Sequence, residues 1–213
     1  MTTQAPSKRT TVKRGAARAL YDREAVHAFI DAAPVCHIAI TTPDGPRVTP
    51  QYHVRDGGVL YLHGHARNGL LNAIANGQEA CLAFTRIDGL VLGKAAISHS
   101  FNYRSAVIYG HGRAVSDPER KRHALKLLTD RFAPGRWDTV RQPDDQEIRA
   151  TIVVEIPIAE ASAKQRQGPP KVLDRDRDFA TWAGVVPVVS EAGNPVPLDI
   201  DEKQTPPAPS WPE

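Results

Sequence analysis

Residues 59–74, VLYLHGHARNGLLNAI, place His63, His65 and Arg67 between a run of β-prone residues and a leucine-rich run. An imidazole can carry a proton, face a redox-active ring or ligate a metal. A guanidinium suits a phosphate. A helix that starts just beyond carries unpaired backbone N–H groups and the positive end of its dipole, so the segment reads as an anion seat. His63 and His65 fall on one side of an extended chain, which also suits the iron of a haem.

Two further polar segments could complete such a site. Arg47, Thr49, Gln51 and His53 alternate with Val48, Pro50, Tyr52 and Val54, so they share one face of a strand. That face is either simply solvated or a polar wall for the edge of a planar, phosphorylated cofactor. The segment Ser98-His99-Ser100-Phe101-Asn102-Tyr103-Arg104-Ser105 enters a long strand-like run. It reads as an ordinary loop or, through Arg104 and the serines, as part of a phosphate or ribose site. The chain's 8 histidines show no zinc spacing, and no dinucleotide fingerprint, P-loop or nucleophile elbow is present.

These residues need a scaffold, and 213 residues with 41% hydrophobic content suffice for one domain with tails. The net charge is +3, but Lys8, Arg9, Lys13, Arg14 and Arg18 lie in the basic start of the chain. The rest is near neutral, which argues against a nucleic-acid partner. No apolar run is long enough to span a bilayer, and the N-terminus lacks the apolar centre of a secretory signal, so no membrane partner and a cytoplasmic location are expected. Cys36 and Cys81, on apolar strand-like segments, read as reduced core residues rather than a metal pair.

Hydrophobic spacing predicts a helix over 23–33 behind an Asp22 cap, stopped by Pro34. From Val35 the period becomes two, with Cys36, Ile38 and Ile40 on one side. Pro43-Asp44-Gly45 turns the chain into a strand over 47–54, and Asp56-Gly57-Gly58 into a third strand over 59–63. A short helix follows over 67–76. Strand signals recur over 80–87, closed by an Asp88-Gly89 turn, and then over 90–97, 103–115 and 151–158. Ser116-Asp117-Pro118-Glu119 reads as a capping box opening a helix with Leu125, Leu128 and Phe132 as its stripe, and 133–148 reads mostly as loop. The resulting organisation is a flexible basic arm over 1–20, a domain over 21–165 and an extended Pro-rich tail over 166–213 with an apolar docking segment at 179–188. About six strands with short helices, joined by hairpins, point to a mainly β fold, a small antiparallel β-barrel with peripheral helices.

The order RVTPQYHV, VLYLHGHARNGLLNAIANG, CLAFTRIDGLVLGKAAISHSFNYRSAVIYGHGRAV resembles the pyridoxamine 5′-phosphate oxidase-like family with the FMN-binding split barrel, and within it the nitroimidazole-reductase-like, flavin-nucleotide-binding branch. The resemblance covers about residues 20–165. It implies a six-stranded, Greek-key-like antiparallel barrel and a homodimer with FMN at the subunit interface. It places Arg47, Val48, Thr49 and Pro50 beside the isoalloxazine ring, and His63 close to the cofactor as the catalytic candidate. Arg67 and Asn68 fall at the phosphate end, and Lys94, Asn102, Tyr103, Arg104 and Ser105 near the flavin and its phosphate. The chain departs from the family pattern at the helix start. Positions that often hold Ser-Arg or Arg-Lys hold Asn68-Gly69 or Gly69-Leu70 here, with Arg67 one or two residues early. That departure keeps haem and a deazaflavin open as alternative cofactors. The expected function is an FMN-dependent oxidoreductase taking electrons from NAD(P)H to a small acceptor such as a nitro compound. Haem binding on the same barrel and a non-catalytic flavin-binding module are the alternatives.

Overall fold

The computed structural model describes residues 4–198, 205–209 and 211–212. Along the chain the elements are β1 (Ala19–Leu20), α1 (Arg23–Ala32), β2 (Cys36–Thr42), β3 (Gly45–Gln51), β4 (His53–Asp56), β5 (Val59–His65), α2 (Gly69–Ala75), β6 (Glu79–Leu92), β7 (Ser100–His111), β8 (Arg113–Ala114), α3 (Pro118–Phe132), α4 (Asp145–Ala150), β9 (Thr151–Pro157), β10 (Glu160–Arg166) and β11 (Gly184–Pro187). They fall into two compact units, one of residues 4–33, 82–108 and 159–190, the other of residues 34–81, 109–158 and those described from 191 on.

In the first unit the strands run in the order β1-β10-β7-β6, and β11 also pairs with β6. Helix α1 is capped by the Asp22 side chain, which accepts from the Ala25 N–H at 2.8 Å. It buries Val26, Phe29 and Ile30. The basic N-terminal arm is tied to this unit. Arg9 Nε donates to Glu160 at 2.8 Å, the Val12 N–H donates to the Tyr21 hydroxyl at 2.9 Å, and Ala19 and Leu20 pair with Lys164 and Ala163. The apolar tail segment also docks within this unit, Gly184–Pro187 pairing with Leu92–Gly89.

β6 is one strand where a turn at Asp88-Gly89 was expected. The Asp88 carboxylate does not close a turn, because Arg104 takes it from β7. Gly89 leaves room for β11: a Cβ there would meet Val185 Cγ1 at 2.9 Å.

In the second unit β2 and β3 form a hairpin in register from Cys36↔Gln51 to Thr42↔Gly45. A separate sheet has the order β4-β5-β9-β8. The expected strand over 47–54 is split at Tyr52. The Tyr52 ring stacks on Phe132, its hydroxyl donates to the Leu128 carbonyl at 3.1 Å, and Arg131 donates to the His53 carbonyl. His53 therefore leaves the polar face of Arg47, Thr49 and Gln51 and is buried in β4, opposite Leu62.

The long strand expected over 103–115 breaks at Gly112. A Cβ there would meet Ile74 at 2.6 Å and Val154 at 2.8 Å. The cap of α3 is Asp117 rather than Ser116, its carboxylate accepting from the Arg120 N–H at 3.1 Å with Pro118 at the first helical position. The reciprocal capping box lies instead in the stretch read as loop, between Asp144 and Glu147 at α4. Eleven strands among the described residues thus replace about six: these breaks add β4 and β8, the ends of the chain add the short β1 and β11, and β10 (Glu160–Arg166) is a full strand beyond the expected 151–158. No helix among the described residues is long and apolar enough to cross a membrane.

Candidate cofactor site

The second unit positions Arg47–Pro50, His63, Arg67 and Asn68. Antiparallel pairing sets Arg47, Thr49 and Gln51 opposite Ile40, Ile38 and Cys36, so these polar side chains share a side with the buried residues of β2. Val48 is on the other side and is 61% exposed. Pro46 and Pro50 have no N–H to donate. Burial pushes the Cys36 thiol up to about 12, so it is inert as a nucleophile.

Gln51 joins this strand to the histidine segment, its Nε2 donating to the His63 carbonyl at 2.9 Å. His63 sits in β5 opposite Val153 of β9. Its Nδ1 is buried and has no hydrogen-bond partner among the described residues. Burial also lowers its pKa below the usual histidine value, so the ring is neutral at pH 7. A neutral imidazole with an unpartnered, desolvated nitrogen is a group that a ligand can complete, either as acceptor or donor to a ring edge or as a metal ligand. His65 differs: it is exposed, and its Nδ1 accepts from the Arg67 N–H at 3.1 Å.

The helix start is already occupied by the chain itself. The Asn68 side chain caps α2 by accepting from the Leu71 N–H at 3.1 Å. Asn72 Nδ2 donates to the carbonyls of Ala66 at 2.7 Å and Asn68 at 2.9 Å. Gly64 is packed close, a Cβ there meeting Leu71 at 2.9 Å. With seven residues and its first turn capped, α2 offers little to an anion. The Arg67 and Arg47 side chains, both exposed, make no hydrogen bond or ion pair among the described residues.

The first unit holds Lys94, Asn102, Tyr103, Arg104 and Ser105, and most are engaged within it. Arg104 Nε lies 3.2 Å from both Asp88 oxygens and its Nη2 2.9 Å from one of them. Buried Asn102 accepts from Arg166. The Ser105 hydroxyl donates to the Lys164 carbonyl at 3.3 Å. Lys94 Nζ donates to the carbonyls of Arg177 at 2.6 Å and Phe179 at 2.8 Å, fastening the tail ahead of β11. Tyr103 is half-buried. The roles of Gln51 and of Asp88 escape sequence reading. Gln51 carries the signal of strand alternation, but nothing local marks Asp88 as a partner of Arg104.

Comparison with known proteins agrees with this architecture. The family model described as pyridoxamine 5′-phosphate oxidase matches residues 22–165. The chain therefore belongs to the pyridoxamine 5′-phosphate oxidase family, and its fold is the mainly β split barrel of that family. It is similar to the flavocytochrome Anf3 of Azotobacter vinelandii, with 37% identity, a TM-score of 0.89, and coverage of 95% of this chain and 94% of that one. It is also similar to a FAD and haem binding protein of Mycobacterium smegmatis, with 32% identity, a TM-score of 0.84 and coverage of 91% and 95%. A candidate 5-nitroimidazole antibiotic resistance protein of Bacteroides thetaiotaomicron is 24% identical, with a TM-score of 0.58 and coverage of 68% and 85%, a likeness of fold alone. Among curated proteins none matches this chain.

Proposed function

We propose that this chain is a flavin- and haem-carrying redox protein that works as a cytoplasmic homodimer. The observation that carries the reading is its likeness, over more than nine-tenths of the chain, to a flavocytochrome and to a FAD and haem binding protein. The flavin, FAD or FMN, would supply hydride and single-electron chemistry between NAD(P)H and a small acceptor. Arg47 and Arg67 are the cations available to its phosphates. Thr49 and the backbone of β3 serve the edge of its ring. His63 is the group kept neutral, with a buried nitrogen that a bound partner would satisfy. Arg104, engaged by Asp88, acts in the scaffold rather than as a phosphate ligand. The exposed Val48 on β3 suits a subunit contact beside the cofactor.

The test is the visible spectrum of the purified chain before and after dithionite, followed by mass analysis of the extracted cofactors. The expected result is the two-band spectrum of an oxidised flavin together with a sharp haem band that shifts on reduction. A flavin spectrum alone would remove the haem half of the reading. A chain without either spectrum that also fails to take up added FAD, FMN or haem would remove the whole of it.

A further inference from the structure

The break at Tyr52 creates a feature that the cofactor reading leaves unused. The Tyr52 and Phe132 rings stack with centroids 4.2 Å apart and planes 10° from parallel. The Arg131 guanidinium lies over the Tyr52 ring, 5.4 Å from its centroid. With Pro34 and Val35 they wall an apolar cleft of about 260 Å³, and its remaining wall is Trp211 with Pro212 from the end of the chain. Phe132 nevertheless stays 60% exposed and Trp211 43% exposed, so the cleft is covered only in part.

The segment that reaches the cleft has the composition such clefts recognise. Residues 205–212 read TPPAPSWP. Proline fixes φ and favours a polyproline II chain, which forfeits little entropy on docking, and aromatic-lined grooves are its usual receptors. Tryptophan next to proline adds the large flat anchor on which such contacts concentrate. Residues 205–209 are exposed and form no helix or strand, so the contact is made at Trp211 and Pro212. The Tyr52 hydroxyl donates to the Leu128 carbonyl at 3.1 Å, and the residue lines the cleft. Residues 188–198 are likewise without helix or strand and are exposed, and Val188 donates its N–H to the Asp88 carbonyl at 3.2 Å.

We infer that the cleft of Pro34, Val35, Tyr52, Arg131 and Phe132 is a recognition site for a proline-flanked tryptophan, and that the chain's own Trp211-Pro212 is its releasable intramolecular ligand. A tethered ligand acts at an effective concentration of order millimolar. A free peptide of the same sequence therefore competes poorly with it until the tether's anchor is removed.

The test is anisotropy of a dye-labelled TPPAPSWP peptide titrated with the full-length chain, with W211A and with W211A/F132A. The expected result is saturable binding to W211A, at least about tenfold weaker binding to the unaltered chain because the tail competes at its effective concentration, and none to the double variant. Absence of saturable binding to W211A, or equal binding to W211A and the unaltered chain, would overturn the inference. Should W211A fail to fold, the chain bearing W137F and W182F, produced with 5-fluorotryptophan, carries its fluorine label at Trp211 alone. Excess unlabelled peptide must then move that fluorine resonance to the position it has in the unfolded chain, and no movement would overturn the inference. A Trp211 signal that changes with protein concentration would mean that a second copy supplies the tail, which overturns the intramolecular assignment.

Discussion

Arg104 and Arg67 are the same side chain, each placed by its sequence context beside a candidate phosphate, and the two units use them in opposite ways. In the first unit Arg104 grips Asp88 through Nε and Nη2, with both side chains about three-quarters buried. In the second unit Arg67 contributes its backbone N–H to His65 and leaves its guanidinium in solvent. A guanidinium already held by a carboxylate has donors in use and charge neutralised, so its recruitment to a ligand must first break a charge-assisted pair. One left exposed is available at the cost of ordering its stem. The difference teaches that an arginine near an expected phosphate is informative only once its carboxylate neighbours are known.

The comparison breaks most visibly through stability. Arg104→Ala is expected to destabilise the chain by about 1.5–3 kcal/mol, since it removes bonds to a partly buried charged group and leaves Asp88 with the longer, 3.9 Å contact to Arg86. Urea unfolding checks this, and Asp88→Ala/Arg104→Ala should cost less than the two single changes added together. Arg67→Ala should leave unfolding unchanged but weaken flavin binding about tenfold or more. If flavin titration instead finds the loss in Arg104→Ala with Arg67→Ala unaffected, the two arginines have been assigned the wrong way round. Asn68→Ala removes the cap of α2 and should cost about 1 kcal/mol, whereas Asn68→Gly should cost only a few tenths. Equal costs would show that the Asn68 side chain does not hold that helix start.

The smallest expected effect concerns His63. Burial keeps its folded pKa below its ordinary 6.5, so below that pH the unfolded chain binds more protons than the folded one and stability falls as pH drops. His63→Gln should flatten this acid slope while leaving the pH dependence above neutrality as it was. Thermal melts across pH decide it, and an unchanged slope would mean that His63 is not desolvated in the folded chain.

Much of this was legible locally. The Asp22 cap, the stripe of α1, the alternation of Cys36, Ile38 and Ile40, and the hairpin turn at Pro43-Asp44 are all local patterns, since helix and strand periods repeat within a few residues. The same local rules misread Asp88-Gly89 as a turn and carried the strand over 47–54 straight through Tyr52. At both places a residue distant in sequence decided the outcome: Arg104 and β11 in the first, Phe132 and Arg131 in the second.

The sequence by itself therefore determined the mainly β class, the family, and the polar residues from which a cofactor site would be built, because residue types and short periods carry that information. Only the tertiary structure decided which of those residues are still free to act. Asp88 and Arg104 are 16 positions apart along the chain and touch across neighbouring strands. His63 loses water by burial in β5, where its partner across the sheet is Val153 of β9, far away in sequence. Burial and charge pairing depend on distance in space, and no spacing rule along the chain contains that distance.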